Sequence, residues 1–158
     1  MTSATAMYGA IMRNDVSAVR GVVARDPSVL SGVFIDNGWL HWAAQMGRIE
    51  IMALLVEAGL RIDQMTASKT PLEIAAGQGH QKACQWLLDH GADINHGLGK
   101  SATPIFGAIY SKSLELVKLF VERGSNLGAT FGVPEIDVIG FAKRYGTPEI
   151  VAFLRDRK

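Results

Sequence analysis

The stretch that decides the fold runs from Thr70 to Asn95. It reads Thr70-Pro71-Leu72-Glu73-Ile74-Ala75-Ala76-Gly77-Gln78-Gly79-His80, then Gln81 to His90, then Gly91-Ala92-Asp93-Ile94-Asn95. Thr70 is suited to capping a helix N-terminus, and Pro71 falls in the first turn, where a missing N–H costs nothing. Glu73 follows Thr70 at the spacing of a capping box. Gly79 stops this helix, because glycine accepts the left-handed turn of a helix C-terminus. A second helix is expected from Gln81 to about His90. Its Ala83, Cys84, Trp86 and Leu87 follow i, i+1, i+3, i+4 spacing and form one buried stripe. Gly91 ends it, and Ala92-Asp93-Ile94-Asn95 leads into an extended finger.

The same unit recurs on both sides. Leu40-His41-Trp42-Ala43-Ala44-Gln45-Met46-Gly47, ending in Leu54-Leu55-Val56-Glu57-Ala58-Gly59, precedes it by 32 residues (Leu40 to Leu72). Thr103-Pro104-Ile105, ending in Leu119-Phe120-Val121-Glu122-Arg123-Gly124, follows by 33 (Thr70 to Thr103). A period near 33 marks a stack of helix–turn–helix units. Within it, Thr70-Pro71-Leu72, Ala75-Ala76, Gly79-His80, Leu87-Leu88 and Gly91-Ala92-Asp93-Ile94-Asn95 closely resemble the ankyrin consensus. The resemblance covers nearly the whole chain.

It implies an all-α ankyrin-repeat solenoid of five stacked antiparallel helix pairs with extended finger loops. Residues 1–158 then form a single domain. Residues 1–31 are an N-terminal cap, 32–63, 64–96 and 97–128 are full repeats, and 129–158 are a C-terminal cap. The first cap pairs Tyr8-Gly9-Ala10-Ile11 with Val16 to Ala24, with Asn14 in place of the glycine between helices. Its exposed side carries Ser17, Arg20 and Arg25. The last cap pairs Val138 to Tyr145 with Thr147-Pro148 to Arg155. Fingers are expected near Gly32–Asn37, Gln64–Lys69, Gly97–Ala102 and Gly128–Glu135.

Three departures from the pattern matter. Gly38-Trp39-Leu40-His41 lacks Thr-Pro, so its finger is shortened or its helix starts differently. Lys112 stands where the glycine between helices belongs, which predicts a positive φ at a cost of about 1 kcal/mol or more. Gly128 to Asp137 also lacks Thr-Pro, and Pro134 predicts an irregular loop.

Composition narrows the function classes. Apolar residues are 48% and charged residues 20%, the balance of a soluble globular domain. The formal net charge of +1 gives no long-range pull on nucleic acid or an anionic membrane. The single cysteine, Cys84, cannot form an internal disulfide, so the fold needs no oxidising compartment. Met1 to Ala10 has neither a basic residue nor a long apolar run, so no secretory signal is expected. The expected location is cytoplasmic.

Candidate chemistry is thin. Gly97-Leu98-Gly99-Lys100-Ser101 ends like a phosphate-binding loop, but the glycine needed before Gly99 is replaced by Ile94. An enzyme or nucleotide-binding protein using Gly97–Ser101 is the alternative reading, and a nucleotide titration separates it. His41, His80, His90 and His96 lack the partners of a zinc site, so no metal is expected. His41 and His80 fall at ankyrin consensus positions, where the resemblance implies structural hydrogen bonding. His90 and His96 are expected to be exposed. Cys84 lies on a buried stripe and is expected to be inert. Met46, Met52 and Met65 suggest a partner surface, although Met52 lies on a core stripe. No cofactor is expected, and the chain is expected not to be an enzyme.

The resemblance implies that function lies on a concave face, built from finger tips and the outer ends of the first helices. The positions concerned are the residues before Thr-Pro and those before the glycine between helices. Here they are Trp39, Gln45, Met46, Lys69, Gln78, Tyr110, Ser111, Arg144 and Tyr145. Gly77 and Ala102 hold equivalent places. Trp, Tyr and Arg dominate interface hot spots. Trp39 and Tyr145 have a second reading, as fillers between neighbouring fingers; Trp42 is assigned to the core. The expected partner is a protein, with no nucleic acid or membrane and with the chain monomeric alone. An inhibitor or adaptor fits, and small bacterial ankyrin proteins of this general look include immunity proteins that neutralise toxins.

Overall fold

The structure, a computed structural model, describes residues 2–66, 69–97 and 103–157. Of the Gly97–Ser101 segment, all but Gly97 lie outside the described residues, as does Ala102.

Five helix pairs follow one another along the chain. They are α1 (Ser3–Met12) with α2 (Val16–Arg25), α3 (Trp39–Gln45) with α4 (Ile49–Glu57), and α5 (Pro71–Gly77) with α6 (Gln81–Asp89). Then come α7 (Pro104–Tyr110) with α8 (Leu114–Glu122), and α9 (Val138–Tyr145) with α10 (Pro148–Arg155). First helices pack on first helices, α1 on α3, α3 on α5, α5 on α7 and α7 on α9. Second helices form a parallel outer row, α2, α4, α6, α8, α10.

The rows differ in side chain because they differ in spacing. In the inner row Ala43, Ala44, Ala75, Ala76 and Ala108 are buried, so backbones approach closely. At Gly107 a Cβ would meet the Gly77 backbone nitrogen at 2.9 Å and the Ala76 Cβ at 3.2 Å. In the outer row the larger side chains repeat in register: Ile51, Met52 and Leu55 on α4, Ala83, Cys84 and Leu87 on α6, Leu116, Val117 and Phe120 on α8. These interlock into one continuous core.

Capping follows the sequence. The Thr70 hydroxyl accepts the Glu73 N–H and Glu73 Oε2 accepts the Thr70 N–H, both at 3.3 Å. Polar side chains also tie repeat to repeat. The Asp93 N–H donates to Asp63 at 3.1 Å, and the Asn126 N–H to Asn95 Oδ1 at 2.8 Å. His41 Nε2 donates to the Lys69 carbonyl at 3.1 Å and His80 Nε2 to the Gln45 carbonyl at 2.9 Å, so both act structurally. Lys112 has φ 60°, as its place in the glycine position predicts, and Asn14 has φ 57°.

Several details differ from expectation. Trp86 is only half-buried, its ring stacked at 3.9 Å on His90, which is itself exposed. His96 is half-buried too, its Nε2 lying 3.1 Å from the Met65 sulfur. Gly128 to Asp137 is a hairpin rather than an irregular loop. Its strands β3 (Thr130–Phe131) and β4 (Ile136–Asp137) pair antiparallel and place Pro134 in the connection, where no ladder N–H is needed. An earlier finger is likewise a hairpin, β1 (Val33–Phe34) with β2 (Asn37–Gly38), preceded by a 3-10 turn over Pro27–Ser31. The second finger closes with a single bridge, Thr66 to Lys69.

Candidate functional site

The inner row and the fingers share one face, and the nine residues expected there divide. Trp39 must be removed from the set. It is 1% exposed, and its indole N–H donates to the Val29 carbonyl. α3 begins at Trp39 with Gly38 as N-cap, the same register as α5 at Pro71 and α7 at Pro104, so the helix does not start differently; Trp39 holds the buried proline position and its ring turns inward onto the 3-10 turn. Trp42 is buried as expected, its indole N–H donating to the Phe34 carbonyl at 2.8 Å. Both tryptophans anchor the first finger instead of presenting themselves from it.

The remaining eight positions lie two to each of the last four helix pairs. Lys69 and Gln78 are exposed, while Gln45 and Met46 are half-buried at the end of α3. The Ser111 hydroxyl donates to the Ala108 carbonyl at 2.8 Å and is occupied inside its own helix. Three residues from two repeats come together. Tyr110, at the end of α7, is 62% exposed, and its ring centroid lies 6.2 Å from that of Tyr145. The Arg144 guanidinium sits 5.4 Å from the Tyr145 ring centroid, within cation–π range. Tyr145 rests in turn on Phe141 at 4.6 Å. Tyr145 thus both fills a gap and supports the patch.

The structure adds residues that sequence reasoning passed over. Among the described residues, the large exposed apolar side chains are Val33, Ile35, Met65, Tyr110, Phe131 and Val133. All six lie in a finger or at the end of an inner helix, and none lies on an outer helix. Phe131 leans on Phe106 and Phe141, 5.5 and 5.9 Å away, which docks the last finger against α7 and α9. In the first hairpin the two connecting residues, Ile35 and Asp36, have φ 50° and 63°. Two positive φ values are what a two-residue hairpin requires. A β-branched residue there is strained, by about 1–3 kcal/mol, and this one holds an apolar side chain out into water. The available signal was the apolar run Val33-Phe34-Ile35 in a stretch otherwise read as loop.

Catalytic chemistry finds little to build on. Burial pushes the Cys84 thiol up to about 12, so it stays protonated and unreactive. Burial also raises the Glu73 carboxyl to about 7, against the opposing pull of the Thr70 N–H and the Lys69 charge. Its place in the capping box accounts for its position. Burial holds the His41 imidazole below its ordinary range. Among the described residues no three His, Cys, Asp or Glu side chains gather as metal ligands. A cleft of about 380 Å³ lies between α1 and the end of α2 at Thr2, Ser3, Val22 and Asp26, and another of about 270 Å³ lies between α2 and α4.

A family model described as "Ankyrin repeats (3 copies)" matches residues 63–131, and one described as "Ankyrin repeat" matches residues 40–67. The chain belongs to the ankyrin-repeat family. Its ankyrin repeats are similar to "Ankyrin repeat and SOCS box protein 5" of Oryctolagus cuniculus, 36% identical over 91 residues, covering 56% of this chain and 27% of that protein. They are similar to "Target of rapamycin complex 2 subunit AVO2" of Saccharomyces cerevisiae, 26% identical over 124 residues, 75% of this chain and 29% of that one. They are also similar to "Palmitoyltransferase ZDHHC17" of Danio rerio, 28% identical over 137 residues, 85% of this chain and 20% of that one. The chain thus spans less than a third of the length of these relatives. Ankyrin repeats are protein–protein interaction modules and generally not catalytic. No helix among the described residues is long and apolar enough to cross a membrane.

Proposed function

We propose that this chain is a non-catalytic binding module that works by docking a protein partner on its concave face, as an inhibitor or adaptor. One observation carries this reading: among the described residues the exposed large apolar side chains all lie on the fingers and inner-helix ends. Exposed apolar surface gathered on one face is a mark of an interaction site. The relatives support the same view. Their names describe different activities, while the shared segment is the repeats. Inhibitor and adaptor, and a toxin-neutralising immunity role among inhibitors, share this surface and differ in what the docked partner can then do.

Capture from a lysate on immobilised chain tests it, with three baits. The partner is the protein retained by the wild type and by an outer-row variant carrying Glu50→Ala, Lys82→Ala and Glu115→Ala, yet lost by Tyr110→Ala with Arg144→Ala. A protein lost only by the outer-row bait places the site on the opposite face.

A further inference from the structure

The charges beside this face narrow the partner's chemistry. The turns joining the helices of each pair line one edge of the stack, and they carry Arg13, Arg48 and Lys112; the end of α9 adds Lys143 and Arg144. The carboxylate in those turns, Asp15, is occupied, accepting the Ala18 N–H at 2.9 Å to cap α2. Arg48 is occupied as well, its Nη2 donating to the Met12 carbonyl at 3.2 Å. Lys112, Lys143 and Arg144 remain exposed, and among the described residues they form no ion pair. The ion pairs that do form, Lys118–Glu115 and Arg123–Asp89, are on the outer row. Of the unpaired cations on this edge, Lys112, Lys143 and Arg144 belong to the two helix pairs that carry Tyr110 and Tyr145, while Arg13 lies at the far end of the stack.

We infer that this edge receives an acidic polypeptide segment, its carboxylates on Lys112, Lys143 and Arg144 and its apolar side chains against Tyr110 and Tyr145. The inference rests on the reading of this face as the partner site. Arg144 suits the role, because a guanidinium held against a ring keeps its donors in the fork that fits a carboxylate. A polynucleotide fits less well. With a net charge of +1, the chain as a whole offers no long-range pull on a continuous phosphate backbone.

Fluorescence anisotropy with a labelled peptide of Glu, Leu and Gly tests this, beside counterparts in which every Glu is Gln or Lys and an oligothymidylate of matched length. The Glu peptide should bind about tenfold more tightly than the Gln peptide at low salt. Added salt should shrink that advantage. Lys112→Asn with Arg144→Gln should abolish it while leaving the fold intact, since Asn accepts the left-handed backbone that Lys112 occupies. Circular dichroism checks the fold. No binding of the Glu peptide, equal binding of the Glu and Gln peptides, an advantage surviving in the double variant, or tighter binding of the oligothymidylate or the Lys peptide overturns the inference. Tyr110→Ala separates it from the underlying reading. If Tyr110→Ala weakens the Glu and Gln peptides alike but Glu confers no advantage, the face stands and its acid preference falls. If Tyr110→Ala weakens neither, the face itself is misplaced.

Discussion

Lys112 occupies the left-handed backbone position that Gly47 and Gly79 fill in the two preceding repeats, at φ 60° against 64° and 74°. Its side chain is exposed, so relief of backbone strain is the main consequence of removing it. Lys112→Gly should stabilise the protein by up to about 1 kcal/mol in a denaturant melt; a clear loss of stability would contradict this account. That site was legible because a repeat pattern shows which residue stands out of place. Ile35 was not legible, since no rule places a β-branched residue in a turn that needs positive φ. Ile35→Asn should gain up to about 1 kcal/mol and weaken partner binding, a trade that melts and a titration can read together. Glu73 gives a pH signature. Burial raises its carboxyl from 4.5 to about 7, so the folded state holds the proton more tightly than the unfolded state. Its contribution is fully present below about pH 4.5 and is lost as pH rises to about 7. His41, depressed by burial, acts the opposite way, losing stability as pH falls below its ordinary range. The Glu73→Gln variant keeps the capping box, and the wild type's Tm should fall relative to it between pH 4.5 and 7. A constant difference across that window would show that Glu73 is not the titrating group.

Helices were readable where their ends carry chemistry, as at Thr70, Pro71 and Glu73, and where apolar stripes repeat, as at Leu55, Leu87 and Phe120. The fingers were not. Two-residue strands leave too short an alternation to read, and Pro134 in the last finger resembled a loop breaker although it sits in a hairpin connection. Trp39 was misplaced for a related reason. Without Thr-Pro to fix the register, Trp39 was grouped with Lys69, although at the 32-residue offset it stands opposite the buried Pro71, and the 3-10 turn at Pro27–Ser31 that supplies its hydrogen-bond acceptor had no sequence signature strong enough to place it. Spacing between elements sets a further test. The α5–α7 contact leaves no room at Gly107, where the nearest obstacle to a Cβ is backbone that cannot swing aside. Alanine is the better helix former, yet Gly107→Ala should destabilise the stack by about 1–2 kcal/mol through overpacking. Thermal melts of the variant decide it, and an unchanged or raised Tm would mean the inner row has slack.

Across the whole molecule, the stack was visible from its period and the face only in outline. The period assigns helix residues to a row, but exposure on that face depends on local packing: Tyr110 and Arg144 are exposed there, while Trp39 is buried. On the proposed reading the fingers and inner-helix ends bind a partner while the outer row supports them. A calorimetric titration of the partner against two variants, with melts alongside, separates the two roles. Tyr110→Ala with Arg144→Ala should weaken binding by about a hundredfold or more, as expected for paired hot-spot residues, and leave thermal stability nearly unchanged. Glu50→Ala, Lys82→Ala and Glu115→Ala together should change neither quantity. Loss of binding in the outer-row variant, with the Tyr110 and Arg144 variant unaffected, would contradict the account.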